Sequence, residues 1–438
     1  MKGTTSAWVL AAAATIGAAG VAVGEAPLAR LPGSPGPHVA KIKALGHRSW
    51  LNLGRPAADP RWGPAPGRSY TPKMAFAADL RGAFLAGEGV HNASRKIRGR
   101  TYYNDDLFFY DINAHRWICL YPGAEIDKLK RTLDDNGWEV TEAGEPTPVQ
   151  QLGHGYEQTA YIGHLRKFMF IPAHKLLWRN SVVGRKRLSW LKDPADPHLL
   201  SDPRYYDVAI GKWQRQHARG EPAWAEKNTT NRVECGALVY SAKSRRIIFC
   251  VAHKSLWLYD YDKQTWSACK PKGRGPDRHG SYEGILCLDT RRDRIYLFKE
   301  VSRYQKAPDA FPMVYDIGSN TWLDVEPANQ PPADRRRAHS TAALANYDVV
   351  NDVVVFFQLR GRDPKDRGVR VYGPAGSAWA NELTAFPPDW NHRAACNAFY
   401  DPRLNAHFIH QAGDSRANGV IWVYRHRRAA PSATAAGN

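Results

Sequence analysis

Five times in this 438-residue chain a tyrosine is followed seven residues later by a tryptophan, at Tyr110/Trp117, Tyr206/Trp213, Tyr259/Trp266, Tyr315/Trp322 and Tyr372/Trp379. The local texts are YDINAHRW, YDVAIGKW, YDYDKQTW, YDIGSNTW and YGPAGSAW. Each reads as the aromatic end of a strand, a polar turn, and a Trp that opens the next strand, which together make a hairpin. A hairpin repeated at near-regular spacing limits the fold to arrays of small sheets, because one such unit cannot bury its own faces.

The later tryptophans stand 53, 56 and 57 residues apart, close to the roughly 40 to 50 residues of one four-stranded propeller blade. Two apolar runs precede each hairpin, as in ECGALVYS and RIIFCVAH before SLWLYD, or YEGILCLD and RIYLFKE before PMVYD. Four short strands per unit follow. A sixth unit starts with ACNAFYDPRLNA and runs through HFIHQAG and GVIWVYR without a closing Trp, while HRSWLNLG at residues 47–54 supplies an unassigned Trp50. The expected fold is all-β: a six-bladed β-propeller whose last blade is closed by an N-terminal strand, so that no long sheet edge stays open.

The YD-x6-W hairpins resemble the kelch-repeat family, including the propeller domain of the galactose-oxidase type, over roughly residues 47–428. The family's paired glycines are mostly absent, with GEG at Gly87–Gly89 and Ala412–Gly413 coming nearest. The resemblance implies that the first strand of each blade is innermost, and it speaks to fold rather than function.

Residues 1–24 carry Lys2, the apolar stretch AWVLAAAATIGAAGVAV and then small residues, the form of a secretory signal peptide. Residues 25–46, with PLARLPGSPGP, read as a linker, residues 47–428 as the propeller, and residues 429–438 as a flexible tail. The mature protein is expected to be secreted, periplasmic or at the cell surface, with no membrane span. Six cysteines suit such an environment, and Cys235 with Cys250 is the first pair to test as a disulfide. No CxxC motif points to a thiolate metal site.

Lys and Arg total 61 against 42 Asp and Glu, a formal net charge of +19. This favours a polyanionic partner. No recognition helix or RNA-binding aromatic motif is present, so an acidic or sulfated glycan, or a protein partner, is expected rather than nucleic acid.

In an up-and-down blade the first-to-second and third-to-fourth turns share one face, and these are short throughout the sequence. The insertions, near residues 91–105, 123–153, 174–203 and 214–231, all fall on the opposite face, which marks it as the working face. Within the second insertion EIDKLKRTLDDNGW has helical spacing at Ile126, Leu129 and Leu133. The candidate residues gather on the same face. His154, His279, His339 and His392 stand at first-strand starts, and His174, His253 and His410 end second strands. A ring of imidazoles there is able to hold a divalent metal or act as a general base. Arg68, Arg232, Arg337 and Arg393 recur at first-strand entries as candidate anion binders, and Trp178 and Trp190 lie among six cations in HKLLWRNSVVGRKRLSWLKD. For each histidine and arginine the competing reading is structural, a loop hydrogen bond or an ion pair between blades.

A binding protein is the expected class. The alternative is a carbohydrate-active enzyme, a lyase, epimerase or metal-dependent oxidase, using histidines at the channel mouth. A copper-radical oxidase would need a Cys/Tyr redox pair that cannot be assigned, and the SxDxGxTW boxes of sialidases are not found.

Overall fold

The computed structural model describes residues 25–71, 73–86, 94–135, 138–147, 157–171, 202–220, 236–251, 255–276, 284–299, 310–331, 343–360, 363–412 and 419–428. The expected signal segment, the tail and Cys235 lie outside these residues. Among them the strands form six four-stranded antiparallel sheets, with one three-stranded and one two-stranded sheet besides. Sheet I contains Ala75–Ala77, Gly82–Ala86, Leu107–Asp111 and Arg116–Tyr121; sheet II contains Thr159–Ile162, Lys167–Phe170, Arg204–Asp207 and Lys212–Arg215. Sheet III contains Ala237–Ser241, Arg246–Val251, Ser255–Asp260 and Thr265–Ala268; sheet IV contains Gly284–Asp289, Arg294–Lys299, Met313–Asp316 and Thr321–Leu323. Sheet V contains Ala343–Asp348, Val353–Gln358, Gly368–Gly373 and Ala378–Trp379. Sheet VI joins the chain's two ends: Ala395–Asp401, Ala406–Ala412 and Val420–Arg425 are completed by Ser49–Asn52.

The seven-residue Tyr/Trp spacing is a register. In sheets I to V the Tyr of the third strand stands directly opposite the Trp of the fourth. Their ring centroids lie 5.3, 5.8, 4.7, 5.3 and 5.5 Å apart, within the range of favourable aromatic pairs. Sheet VI rebuilds the same pair from both ends of the chain, with Trp50 opposite Tyr424 at 4.7 Å. The Asp after the Tyr shapes the turn: Asp111, Asp260 and Asp316 each accept backbone N–H bonds two or three residues on. All six first-to-second turns place a non-glycine residue in the left-handed region, Arg81, Arg166, Arg245, Asp293, Asp352 and Asn405, with φ between 46° and 58°.

Six apolar cores lie between consecutive sheets. Alternate residues of one strand serve different cores: Phe84 packs against sheet II, while Ala83 and Leu85 pack against sheet VI. In the same way Phe356 faces sheet IV and Val355 and Phe357 face sheet VI. Burial on both faces explains why these strands read as continuous apolar runs. The first strands neighbour one another in the order I, II, III, IV, V, VI and back to I.

Two backbone devices repeat around that order. Past the fourth strands of sheets II, III and IV the chain bridges to the fourth strand of the next sheet, at Arg219/Thr265, Lys272/Thr321 and Ala328/Ala378, and Ala57/Arg116 does the same from sheet VI to sheet I. On the edge carrying the first-to-second turns, polar bonds join every neighbouring pair of sheets. Arg81 grips Asp401 with two bonds of 2.7 and 2.6 Å, Tyr161 donates to Asp79, and His164 shares a bond with Tyr240. Ser241 donates to Asp293, Arg292 holds Asp352 at 2.5 and 2.7 Å, and Tyr400 donates to Asp348 at 2.7 Å.

Two expectations are corrected. Residues 126–133 are not a helix: a 3-10 turn, Ile126–Lys128, leads into Leu129–Leu133, which pairs with Glu139–Thr141 and through it with Pro146–Thr147. The Leu129/Leu133 spacing fits a strand equally well, and Asp135-Asn136-Gly137 between the runs is a hairpin turn signal that outweighs it. The segment 25–46, read as a linker, is packed on the sheets. Its helix Pro37–Ala44 buries Val39 and Ile42 in the core between sheets VI and I, and Arg425 caps its C-terminal end by donating to the carbonyls of Ile42 and Lys43. No helix among the described residues is long and apolar enough to cross a membrane.

Candidate functional site

Each first strand is the inner edge of its sheet, so one side of its backbone has no strand partner. Parallel bridges satisfy part of that need. Lys73, just before the first strand of sheet I, pairs with Ala398 of sheet VI, and Glu157, just before that of sheet II, pairs with Ala237 of sheet III. The side chains of the same two residues then reach further. Lys73 Nζ donates to the Leu238 carbonyl of sheet III at 2.7 Å, and Glu157 Oε2 accepts from the Leu286 N–H of sheet IV at 2.7 Å. Neither link joins neighbouring sheets, so both side chains cross the space that the six first strands enclose.

That space is a cavity of about 310 Å³. Phe76, Tyr161, Val239, Leu286, Leu344 and Phe399 line it, one from each sheet. It extends from Lys73 and Glu157 to Thr290, Val349 and Pro402 in the first-to-second turns. The walls are mainly apolar, with Phe76 and Phe399 stacked 5.6 Å apart, and the charged pair stands at one end.

Burial dominates the chemistry of that end. It pushes the Glu157 carboxyl up to about 7, against the opposing effects of the Lys73 charge and the Leu286 N–H. It also lowers the Lys73 ammonium from its ordinary value, with Glu157 opposing, and raises the Cys287 thiol well above its usual range. Among the described residues Lys73 and Glu157 feel each other's charge without forming a direct ion pair. A buried carboxyl that titrates near neutrality in a cavity is the kind of group found at functional sites.

Of the residues singled out from the sequence, His154, His174, His253, His279, His339, Arg232, Arg337, Trp178 and Trp190 lie outside the described residues. His392 and Arg393 are exposed, with the His392 ring 5.8 Å from Phe386. Arg68 is wholly buried and bonded to Asp106, which also pairs with Arg95, so it forms an internal ion pair and not a surface anion site. His410 lies in the interior instead of on the rim: its ring sits 5.0 Å from Trp117, and burial drives its pKa down to about 3. Among the described residues no group of three His, Cys, Asp or Glu side chains is placed to hold a metal.

Sequence reasoning overlooked Lys73 and Glu157. The available signal was a single charged residue just ahead of an apolar first strand, in KMAFA and EQTAYI. No protein-family model matches the chain, and no curated protein matches it either.

Proposed function

We propose that the chain is an exported six-bladed, kelch-like β-propeller that binds an anionic glycan through the face opposite its first-to-second turns. The cyclic order of the first strands, the six cores between consecutive sheets and the Trp50/Tyr424 pair all support the propeller reading. One observation carries the choice of face. On the edge with the first-to-second turns, left-handed turn residues and bonds between sheets leave little chain to spare. At the other edge second and third strands are separated by long connections, from Ala86 to Leu107 in sheet I and from Phe170 to Arg204 in sheet II. Extra chain confined to one edge serves recognition, since stability would not discriminate between edges.

The partner's chemistry follows from charge. A net +19 and the cluster Lys175, Arg179, Arg185, Lys186, Arg187 and Lys192 around Trp178 and Trp190 suit sulfate and carboxylate groups on sugar rings. The test is a glycan array at two salt concentrations, followed by the triple variant Arg185→Glu, Lys186→Glu, Arg187→Glu. Sulfated or uronate-rich glycans should bind over neutral ones, with affinity falling as salt screens the attraction over a Debye length of about 8 Å at physiological ionic strength. The triple variant should bind at least tenfold more weakly with an unchanged melting temperature. Binding of neutral glycans alone, indifferent to salt, would overturn the reading.

A further inference from the structure

We propose that the cavity enclosed by the six first strands is a second binding site, for a small organic monocarboxylate with an apolar or aromatic body, whose carboxylate lies between Lys73 and Glu157. The inference stands on the cavity and its crossing side chains. It does not depend on what the long connections bind.

The walls select the body of the ligand. Phe76, Phe399, Leu344 and Val239 offer apolar surface that a sugar would leave poorly solvated, and about 310 Å³ is at the small end of ligand sites, which span roughly 300–1,000 Å³. The charged end selects the head group. An ammonium has three donors, and Leu238 takes one from Lys73. Glu157 commits Oε2 to Leu286, and among the described residues Oε1 makes no hydrogen bond. A carboxylate placed there accepts from Lys73 and, when Glu157 carries its proton, from Glu157 Oε1 as well. An ionised Glu157 would repel the same ligand, so binding takes up a proton at Glu157 when that group starts out ionised. Groups facing Glu157 do not compete for this role between pH 6 and 8. Lys73 supplies the cation, the Cys287 thiol is held well above its ordinary value, and the lining phenols of Tyr161, Tyr240, Tyr347 and Tyr400 are all raised by burial.

The test is calorimetry on the full-length chain with 3-phenylpropanoate, the straight-chain acids from butyrate to decanoate, and 3-phenylpropan-1-ol as the uncharged control. At least one acid should bind, and more tightly than the alcohol. With Glu157 titrating at about 7, the competent fraction falls about tenfold between pH 6 and pH 8, and the apparent affinity should fall with it. Glu157→Gln, which keeps a donor but cannot ionise, should bind with no pH dependence across that range. Lys73→Met should lose at least tenfold in affinity, and Ala345→Phe, filling the cavity away from the charged pair, should abolish binding of acid and alcohol alike. Each variant is melted first. Should Lys73→Met fail to fold, the pH slope of the unaltered chain and its loss in Glu157→Gln still decide the matter. The proposal is overturned if no acid of the panel binds at pH 6, if the alcohol matches the acid, or if the pH slope survives in Glu157→Gln.

Discussion

Replacing Trp50 with alanine tests how the two ends of the chain are joined. Trp50 supplies the fourth-strand ring of sheet VI, packing 4.7 Å from Tyr424, 5.3 Å from Trp390 and 5.6 Å from Phe386. Truncating a fully buried Trp costs about 3–5 kcal/mol. Trp50 is only half-buried, so the expected loss is about 2–3 kcal/mol. At about 2–4 °C per kcal/mol for chains of 150–250 residues, the melting temperature should fall by roughly 4–12 °C, and somewhat less in this longer chain. Trp322→Ala, which removes the equivalent but buried ring of sheet IV, should cost the full amount. Hydrogen exchange separates local from global effects. In Trp50→Ala, amides of Val420–Arg425, paired with Ser49–Asn52, should exchange faster, while those of Arg294–Lys299 should change only as global stability does. If Trp50→Ala melts with the unaltered chain and exchange at Val420–Arg425 is unmoved, the end-to-end pairing contributes nothing to stability and the reasoning fails.

Two titrations give predictions of opposite sign. Asp352 is held down to about 2 by the Arg292 guanidinium, from an ordinary value of 3.8. A depressed carboxylate stabilises the fold above its unfolded pKa and loses that contribution as pH falls through the folded one. Asp352→Asn should therefore cost about 2 kcal/mol in urea unfolding at pH 7 and flatten the fall in stability between pH 4 and pH 2. A steep acid limb retained in the variant would place its origin elsewhere. Glu157, raised from 4.5 to about 7, acts the other way: the folded state binds the extra proton, so stability drops as pH rises from about 4.5 to 7. Glu157→Gln should gain roughly 2–3 kcal/mol at pH 8 and almost nothing at pH 4, measured by the same unfolding curves; an equal gain at both pH values would mean that Glu157 does not titrate in this range.

The fold was legible where one residue pair carries both a local and a tertiary task. Tyr315 and Trp322 close a hairpin and bury their rings between sheets, so their spacing appears in the sequence each time that geometry recurs. The strand carrying Trp50 could be assigned to the sixth unit, at the other end of the chain, because that unit lacked a closing Trp. The packing of Val39 and Ile42 was not legible, since no period marks a segment that docks once. Nor was the fate of Arg68: an arginine at a first-strand entry looks the same in sequence whether it faces solvent or is buried against Asp106.

The charged end of the cavity was hidden for a more general reason. An inner-edge strand needs partners for its unpaired N–H and C=O groups, and all six first strands share that need, so no pattern sets apart the two positions that meet it with long charged side chains. Leu238 and Leu286, the residues whose backbone Lys73 and Glu157 reach, lie far from them in sequence and in sheets that are not adjacent. Only closure of the six first strands around a common space brings these groups within reach. Closure also buries them. A lysine and a glutamate that would be ordinary surface residues on an open array thereby become a cation with spare donors beside a carboxyl that titrates near neutrality.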